Sequence, residues 1–430
     1  MRSFSKDFIS LGLSRFIMIF SGLATSIIIA RTLGPEMNGV IASILVYPSL
    51  FMTIGSLGVM QSTTFLVGKG LYSDDQIKKA VMQIWVFSTI FSLVTCFILL
   101  YYLTPSAYKI SYVFLAIIPI PFSLFNTYNS GYFLGKNNIQ FFNKINWVPS
   151  LLTLVFTILL VYFIPLEIEG YLIALLFGPL VISVILIYKN QFYKFFSVNF
   201  QIELIKKMLG LGVIYALALL VMNLNYRLDV ILLDHLSTSA EIGIYSKGSN
   251  IIQYLWQIPM LMSTIIFARS AISKDGLAFS KKVAQLLRLS LIVIVLGSLF
   301  LVLFSELVIV GLFGEEFRGS ITVLNYLVPG VILLTIFKVM NMDLAGKGKP
   351  WISLYIMTPA LFINVILNIL LIPKYHANGA AIASTISYAC AGFAFLFLYS
   401  KTVDLPVKEI ITYKKTDFDP ILEMIKKIKR

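Results

Sequence analysis

Apolar residues in this chain recur in runs long enough to cross a bilayer, separated by short breaks that hold most of the charge. A helix rising about 1.5 Å per residue needs roughly 20 apolar residues to cross about 30 Å of hydrocarbon. Such runs fall near 8–31, 38–67, 79–103, 110–135, 145–165, 168–188, 208–234, 241–268, 284–304, 321–346, 351–373 and 378–400. They predict twelve transmembrane helices. The short alternating segments of a membrane β-barrel do not occur.

The breakers inside these runs repeat. Pro119 is matched by Pro329 at an offset of 210, Gly135 by Gly346 at 211, and Pro149 by Pro359 at 210. Pro165 and Pro373 follow at 208, and Gly170 and Gly379 at 209. One such match between apolar helices means little, but five in register indicate duplication. The turn at Arg31–Pro35 with Gly39 lines up more weakly with Asp234–Thr238 and Gly243. Six helices per half give both halves one orientation, so the repeats are parallel, about an axis along the membrane normal. The expected fold is an all-α polytopic membrane protein of about twelve helices, in two parallel six-helix pseudo-repeats around a central cavity. Residues 1–205 and 206–403 are the expected lobes, and 404–430 a basic tail. Within the tail, Asp419-Pro420 suits a helix start. Phe418, Ile421, Leu422, Ile425 and Ile428 share a face there, read either as a helix on anionic lipid or as a solvated end.

Composition agrees: 58% of the 430 residues are apolar and 13% charged, against roughly 25% charged in soluble domains. The net charge of +14 is a topology signal rather than a nucleic-acid footprint. Sorted by loop, one side holds only Arg31, Lys109, Arg318 and Lys374, and nearly all other loop cations fall opposite. Lys/Arg-rich short loops stay in the cytoplasm, which places both termini there, in a cell (inner) membrane. Residues 1–31 read as the first span, not a cleaved leader, because Arg15 interrupts a long apolar stretch. Cys96 and Cys390 lie in spans and read as packing residues, and His235 and His376 stand singly in outer loops without metal-ligand spacing. No metal, cofactor or catalytic residue is expected.

Charges inside spans carry the functional signal. Arg or Lys at a span's centre costs about 2.5–3.5 kcal/mol, so such groups face a cavity or a partner. Arg15, Arg227, Asp229, Lys247, Lys338 and Asp343 all fall inside predicted spans, four cations to two acids. Lys247, Asn250, Tyr254 and Gln257 follow at spacings of three, four and three, one helical face. A polar stripe of this kind lines water or bonds neighbouring helices. The candidate substrate-binding residues are Arg15, Arg227, Asp229, Lys247, Asn250, Gln257 and Lys338. Their positive balance points to an anionic head group held in a cleft between the halves.

Ala30-Arg31-Thr32-Leu33-Gly34-Pro35-Glu36-Met37-Asn38-Gly39 resembles the opening signature of polysaccharide-unit flippases of the multidrug, oligosaccharidyl-lipid and polysaccharide exporter superfamily. Arg227-Leu228-Asp229-Val230-Ile231-Leu232-Leu233, then Glu241-Ile242-Gly243-Ile244-Tyr245-Ser246, is similar to the same family's seventh and eighth spans. The resemblance covers about residues 8–401. It implies V-shaped lobes around a cavity and transfer of polyprenyl-diphosphate-linked oligosaccharide from cytoplasmic to outer leaflet for surface polysaccharide synthesis. The partners implied are that anionic lipid-linked oligosaccharide, membrane lipids, a coupling ion (H+ or Na+) and polysaccharide assembly proteins. The competing expectations are an ion-coupled multidrug exporter of the same superfamily and a polysaccharide polymerase or ligase. Organic-cation export favours buried carboxylates, whereas here cations outnumber acids, and a polymerase needs a sizeable outer loop, whereas every outer loop is short.

Overall fold

The computed structural model describes residues 4–103, 109–136, 141, 145–196, 199–257, 259–260, 266–267, 269–270, 273 and 275–418. The helix expected at the tail's end, from Asp419 onward, lies outside these residues. In chain order the helices are α1 (Phe4–Gly55), α2 (Val59–Lys69), α3 (Asp74–Leu103), α4 (Ile110–Ile117), α5 (Pro119–Gly135), α6 (Val148–Thr157), α7 (Glu167–Asn190) and α8 (Ile202–Leu236). They continue with α9 (Ser239–Tyr254), α10 (Gly276–Leu303), α11 (Ser305–Phe313), α12 (Ser320–Gly346), α13 (Trp351–Val403) and α14 (Val407–Ile411). A π-helical turn, Ile158–Phe163, extends α6.

Two helices are far too long for one crossing. α13 has 53 residues, about 80 Å if straight, against about 30 Å of hydrocarbon. It folds back at His376, whose φ of 48° and ψ of −127° leave the helical region. Ser387 Oγ then donates to the Ala360 carbonyl at 2.7 Å, a bond that residues 27 apart on a straight helix could never make. α1 does the same at Gly34, where φ is 67° and a side chain would be strained. Asn38 Nδ2 closes that corner by donating to the Ile29 and Gly34 carbonyls at 3.1 and 2.6 Å. α1 with α2 and α13 thus each supply two of the predicted spans. With the shorter α6 and α9, the protein is an all-α polytopic membrane protein of about twelve spans.

Other boundaries follow local chemistry. Ser73 and Gln76 form a reciprocal cap at the start of α3, each side chain accepting from the other's backbone N–H at 3.3 and 3.1 Å. Asp74 and Asp75 complement the dipole in that first turn. Asp275 caps α10 by accepting from the Ala278 N–H at 2.9 Å.

The helices are sorted for lipid rather than water. On α1, Ser14, Ser21 and Thr25 are buried while Phe16 and Phe20 point outward. Small polar groups inside and large apolar groups outside suit association in hydrocarbon, where burial of apolar surface gives no advantage. Contacts divide the chain into two compact units: residues 1–234 with 238–243, and residues 235–237 with 244–430. In the first, Val59, Leu66, Ile77, Met82, Phe125, Tyr128, Phe192 and Met208 form one buried cluster, and Ile29, Ile44, Tyr112 and Leu172 anchor another.

The duplication is visible in local contacts. A methyl on Gly170 would lie 2.6 Å from the Leu160 carbonyl, and one on its repeat mate Gly379 would lie 2.5 Å from that of Leu371. Gly39 is closed against Ser239, and its mate Gly243 against Pro35, all four within the first unit. Third, Gln83 on α3 donates to the Asn199 carbonyl at 2.8 Å and accepts from the Gln201 N–H at 3.1 Å. Arg288, at an offset of 205 on α10, grips the carbonyls of Glu409 and Ile410. Each half straps the segment after its last helix onto its own third helix.

Candidate substrate-binding residues

In the second unit the structure positions Lys247, Asn250, Gln257 and Lys338. α9 carries Lys247 and Asn250, but it ends at Tyr254. Leu255 and Trp256 then tighten to bonds three residues back, with the carbonyls of Ile252 and Gln253. Gln257 therefore follows a break in the helix that carries Lys247, Asn250 and Tyr254. Along that stripe Lys247 is buried, Asn250 exposed, and Tyr254 and Gln257 half-buried. The Lys247 ammonium lies 5.5 Å from the Phe313 ring centre.

Lys338 on α12 is placed by an aromatic platform. Its Nζ lies 4.0 Å from the Trp256 ring centre, close enough for a cation–π interaction worth about 0.5–2 kcal/mol. The indole is itself fixed, its Nε1–H facing the Val331 carbonyl at 3.2 Å and Thr335 Oγ1 at 3.3 Å. Val331, Thr335 and Lys338 are spaced four and three on α12, so one face of that helix holds both ring and cation. Tyr388 adds a second ring 6.1 Å away. Trp256 carried no sequence signal, because a tryptophan in an apolar run looks like any other packing residue.

In the first unit, Arg227 and Asp229 sit two apart on α8 and point differently: Arg227 is exposed and Asp229 fully buried. Asn223, on the Arg227 face, bonds back to the Leu219 carbonyl at 2.9 Å. Arg15 on α1 is half-buried. The structure thus groups Arg15, Arg227 and Asp229 in one unit, and Lys247, Asn250, Gln257 and Lys338 in the other.

Two charged centres in the second unit have a structural role. Asp343 is fully buried and accepts from Ser270 Oγ at 2.6 Å, Ser280 Oγ at 2.7 Å, Tyr399 OH at 2.7 Å and Lys347 Nζ at 2.9 Å. Four donors satisfy a buried carboxylate locally. Arg288 sorts with the loop cations by sequence, yet it is buried in a fork to Asp417, Nε to Oδ2 at 2.7 Å and Nη2 to Oδ1 at 2.6 Å. That guanidinium holds the Asp417 carboxyl below the usual carboxylate range. Cys96 is buried as expected, whereas Cys390 is exposed on α13 rather than packed.

Residues 28–322 match the model of a family described as polysaccharide biosynthesis protein, well over half of the chain. The chain belongs to that family. Among relatives of this chain, a putative O-antigen transporter of Shigella flexneri is 23% identical over 50% of this chain and 51% of its own. Two uncharacterized membrane proteins of Methanocaldococcus jannaschii also match. MJ1375 is 25% identical over 46% of each chain, and MJ1068 is 23% identical over 81% of this chain and 75% of its own. The chain spans about half the length of the first of these and of the Shigella protein. Among solved structures, the lipid II flippase MurJ in an inward closed conformation aligns with a TM-score of 0.76 and 14% identity, over 94% of this chain and 89% of its own. An inward-facing multidrug transporter of the MATE family aligns at 0.72 and 15% identity, over 93% and 98%. At such identities the likeness establishes the transporter fold.

Proposed function

We propose that this protein is a flippase, not an enzyme, that carries polyprenyl-diphosphate-linked oligosaccharide units from the cytoplasmic to the outer leaflet. The observation that carries the reading is the excess of cations within the spans of a member of the polysaccharide biosynthesis family. Arg15, Arg227, Lys247 and Lys338 stand against Asp229, and Asp234 at the end of the same span, once Asp343 is accounted for by its four donors. Positive groups retained in hydrocarbon favour a substrate that brings negative charge, as a diphosphate does. In this reading lobes 1–205 and 206–403 rock in alternating access, Asn250 and Gln257 meet polar parts of the substrate, and both termini lie in the cytoplasm of a multi-pass inner-membrane protein. A coupling ion, H+ or Na+, supplies the drive, and polysaccharide assembly proteins receive the product.

The test replaces Arg227 or Lys247 by Ala in cells lacking the native gene and follows lipid-linked saccharide on each face of the membrane. Accumulation on the cytoplasmic face is expected, and full activity in both variants would remove these residues from the mechanism. The likeness to a multidrug transporter favours ion-coupled drug export as the second reading. Normal surface polysaccharide with raised sensitivity to organic cations in the deletion strain would replace the first reading by the second.

A further inference from the structure

The two arms of α13 enclose an open groove of about 770 Å³ that the site described above does not use. Trp351, Tyr355, Thr358 and Ile363 line one wall, and Cys390 and Ala394 the other. It opens to the outside of the bundle, where Tyr355, Phe362, Phe393 and Phe397 are exposed. The duplication explains why it exists in this half. At the repeat offset of 209, Cys390, Ala391 and Ala394 replace Val181, Ile182 and Ile185 of α7. Small side chains stand where the first half carries branched ones.

The ends of the same two helices carry charge. Lys349 precedes Trp351 by two residues, and Lys401 follows Ala394 by two turns on the same helix; both are exposed. Lys347 lies beside them, bound to Asp343, and Asp404 is the acid at that helix end. In the proposed topology this end faces the cytoplasm, where a leaflet's anionic lipids meet juxtamembrane lysines.

We propose that this groove seats one acyl chain of an anionic bilayer phospholipid, whose phosphate rests against Lys349 and Lys401. The chain fills the apolar channel beside Cys390 and Ala394, and Trp351 and Tyr355 stand at the interfacial end, where amphipathic rings are favoured. The site rests on membrane embedding and topology and does not require the flippase reading.

The experiment uses the full chain in nanodiscs of phosphatidylcholine containing a brominated lipid, and reads tryptophan quenching as the difference between the protein and W351F. Brominated phosphatidylglycerol should quench the Trp351 signal as though enriched on the order of tenfold over brominated phosphatidylcholine, given two lysines at the head group. C390V/A394I, which restores first-half residues at two exposed positions, should abolish the excess. K349A/K401A should leave quenching but remove the preference for phosphatidylglycerol. Equal quenching by both lipids overturns the proposal, as does an excess that survives C390V/A394I. Displacement of brominated phosphatidylglycerol by a polyprenyl phosphate at lower mole fraction than by unbrominated phosphatidylglycerol would overturn the acyl-chain assignment. Wild-type quenching can fail while export activity stands, so the two readings fall separately.

Discussion

Arg288→Ala should release residues 404–418 from α10 while leaving the spans in place. Arg288 and Asp417 are 4% and 2% exposed, so solvent screening does little to weaken the pair. The substitution removes both prongs of the fork, and it orphans the Glu409 and Ile410 carbonyls, each bonded to Nη1 at 2.9 Å. Loss of one partner of a buried pair costs about 3–5 kcal/mol. Leu405 and Ile410 remain as buried apolar anchors, which places the net effect near the lower figure. At about 1.4 kcal/mol per factor of ten, amides from 405 to 417 should exchange at least about a hundredfold faster. Hydrogen exchange with mass detection on the detergent-solubilised chain resolves this segment from the spans. R288Q should lose less, because Gln83 holds the corresponding strap of the first half through its amide alone. Unchanged exchange over 405–417 in R288A would refute the clasp.

The same pair predicts a pH dependence. The folded Asp417 carboxyl titrates below its ordinary value, so the released segment binds the proton more readily. Strap protection should therefore be full above the ordinary carboxylate pKa of about 4 and fall away as pH drops through the lowered value, which pH-stepped exchange would check. Gly39→Ala forces a methyl into the Ser239 carbonyl and should destabilise the chain by about 1–3 kcal/mol or more, read as a drop in thermal midpoint. Gly12→Ala, with open space around it, should change nothing measurable. Asp343→Ala removes the carboxylate that Lys347, Ser270, Ser280 and Tyr399 share and should cost about 3–5 kcal/mol, whereas Tyr399→Phe should cost about 1.5–3, the range for one bond to a charged group. Asn38→Ala strips the Gly34 corner of two hydrogen bonds and should lower the thermal midpoint by the equivalent of about 1–3 kcal/mol.

Much of this architecture was written in local chemistry. Spanning-length apolar runs have one folded solution apart from closed barrels, because every backbone N–H and C=O must find a partner within the hydrocarbon. The helices, the approximate span count and the repeat of prolines and glycines therefore followed from spacing alone, as did the turn at Gly34. Family membership was legible too, in the residues around that turn and in the run from Arg227 to Leu233. Long-range pairing was not legible. Arg288 looked like one more loop cation because its partner lies 129 residues away. Trp256 looked like packing until α12 set Lys338 over its ring. Cys390 looked buried until the arms of α13 left it facing a groove. Hydropathy is a property of one helix and its surroundings, so the sequence determines it. Which charge meets which partner depends on how separate helices pack, and only the tertiary structure decides that.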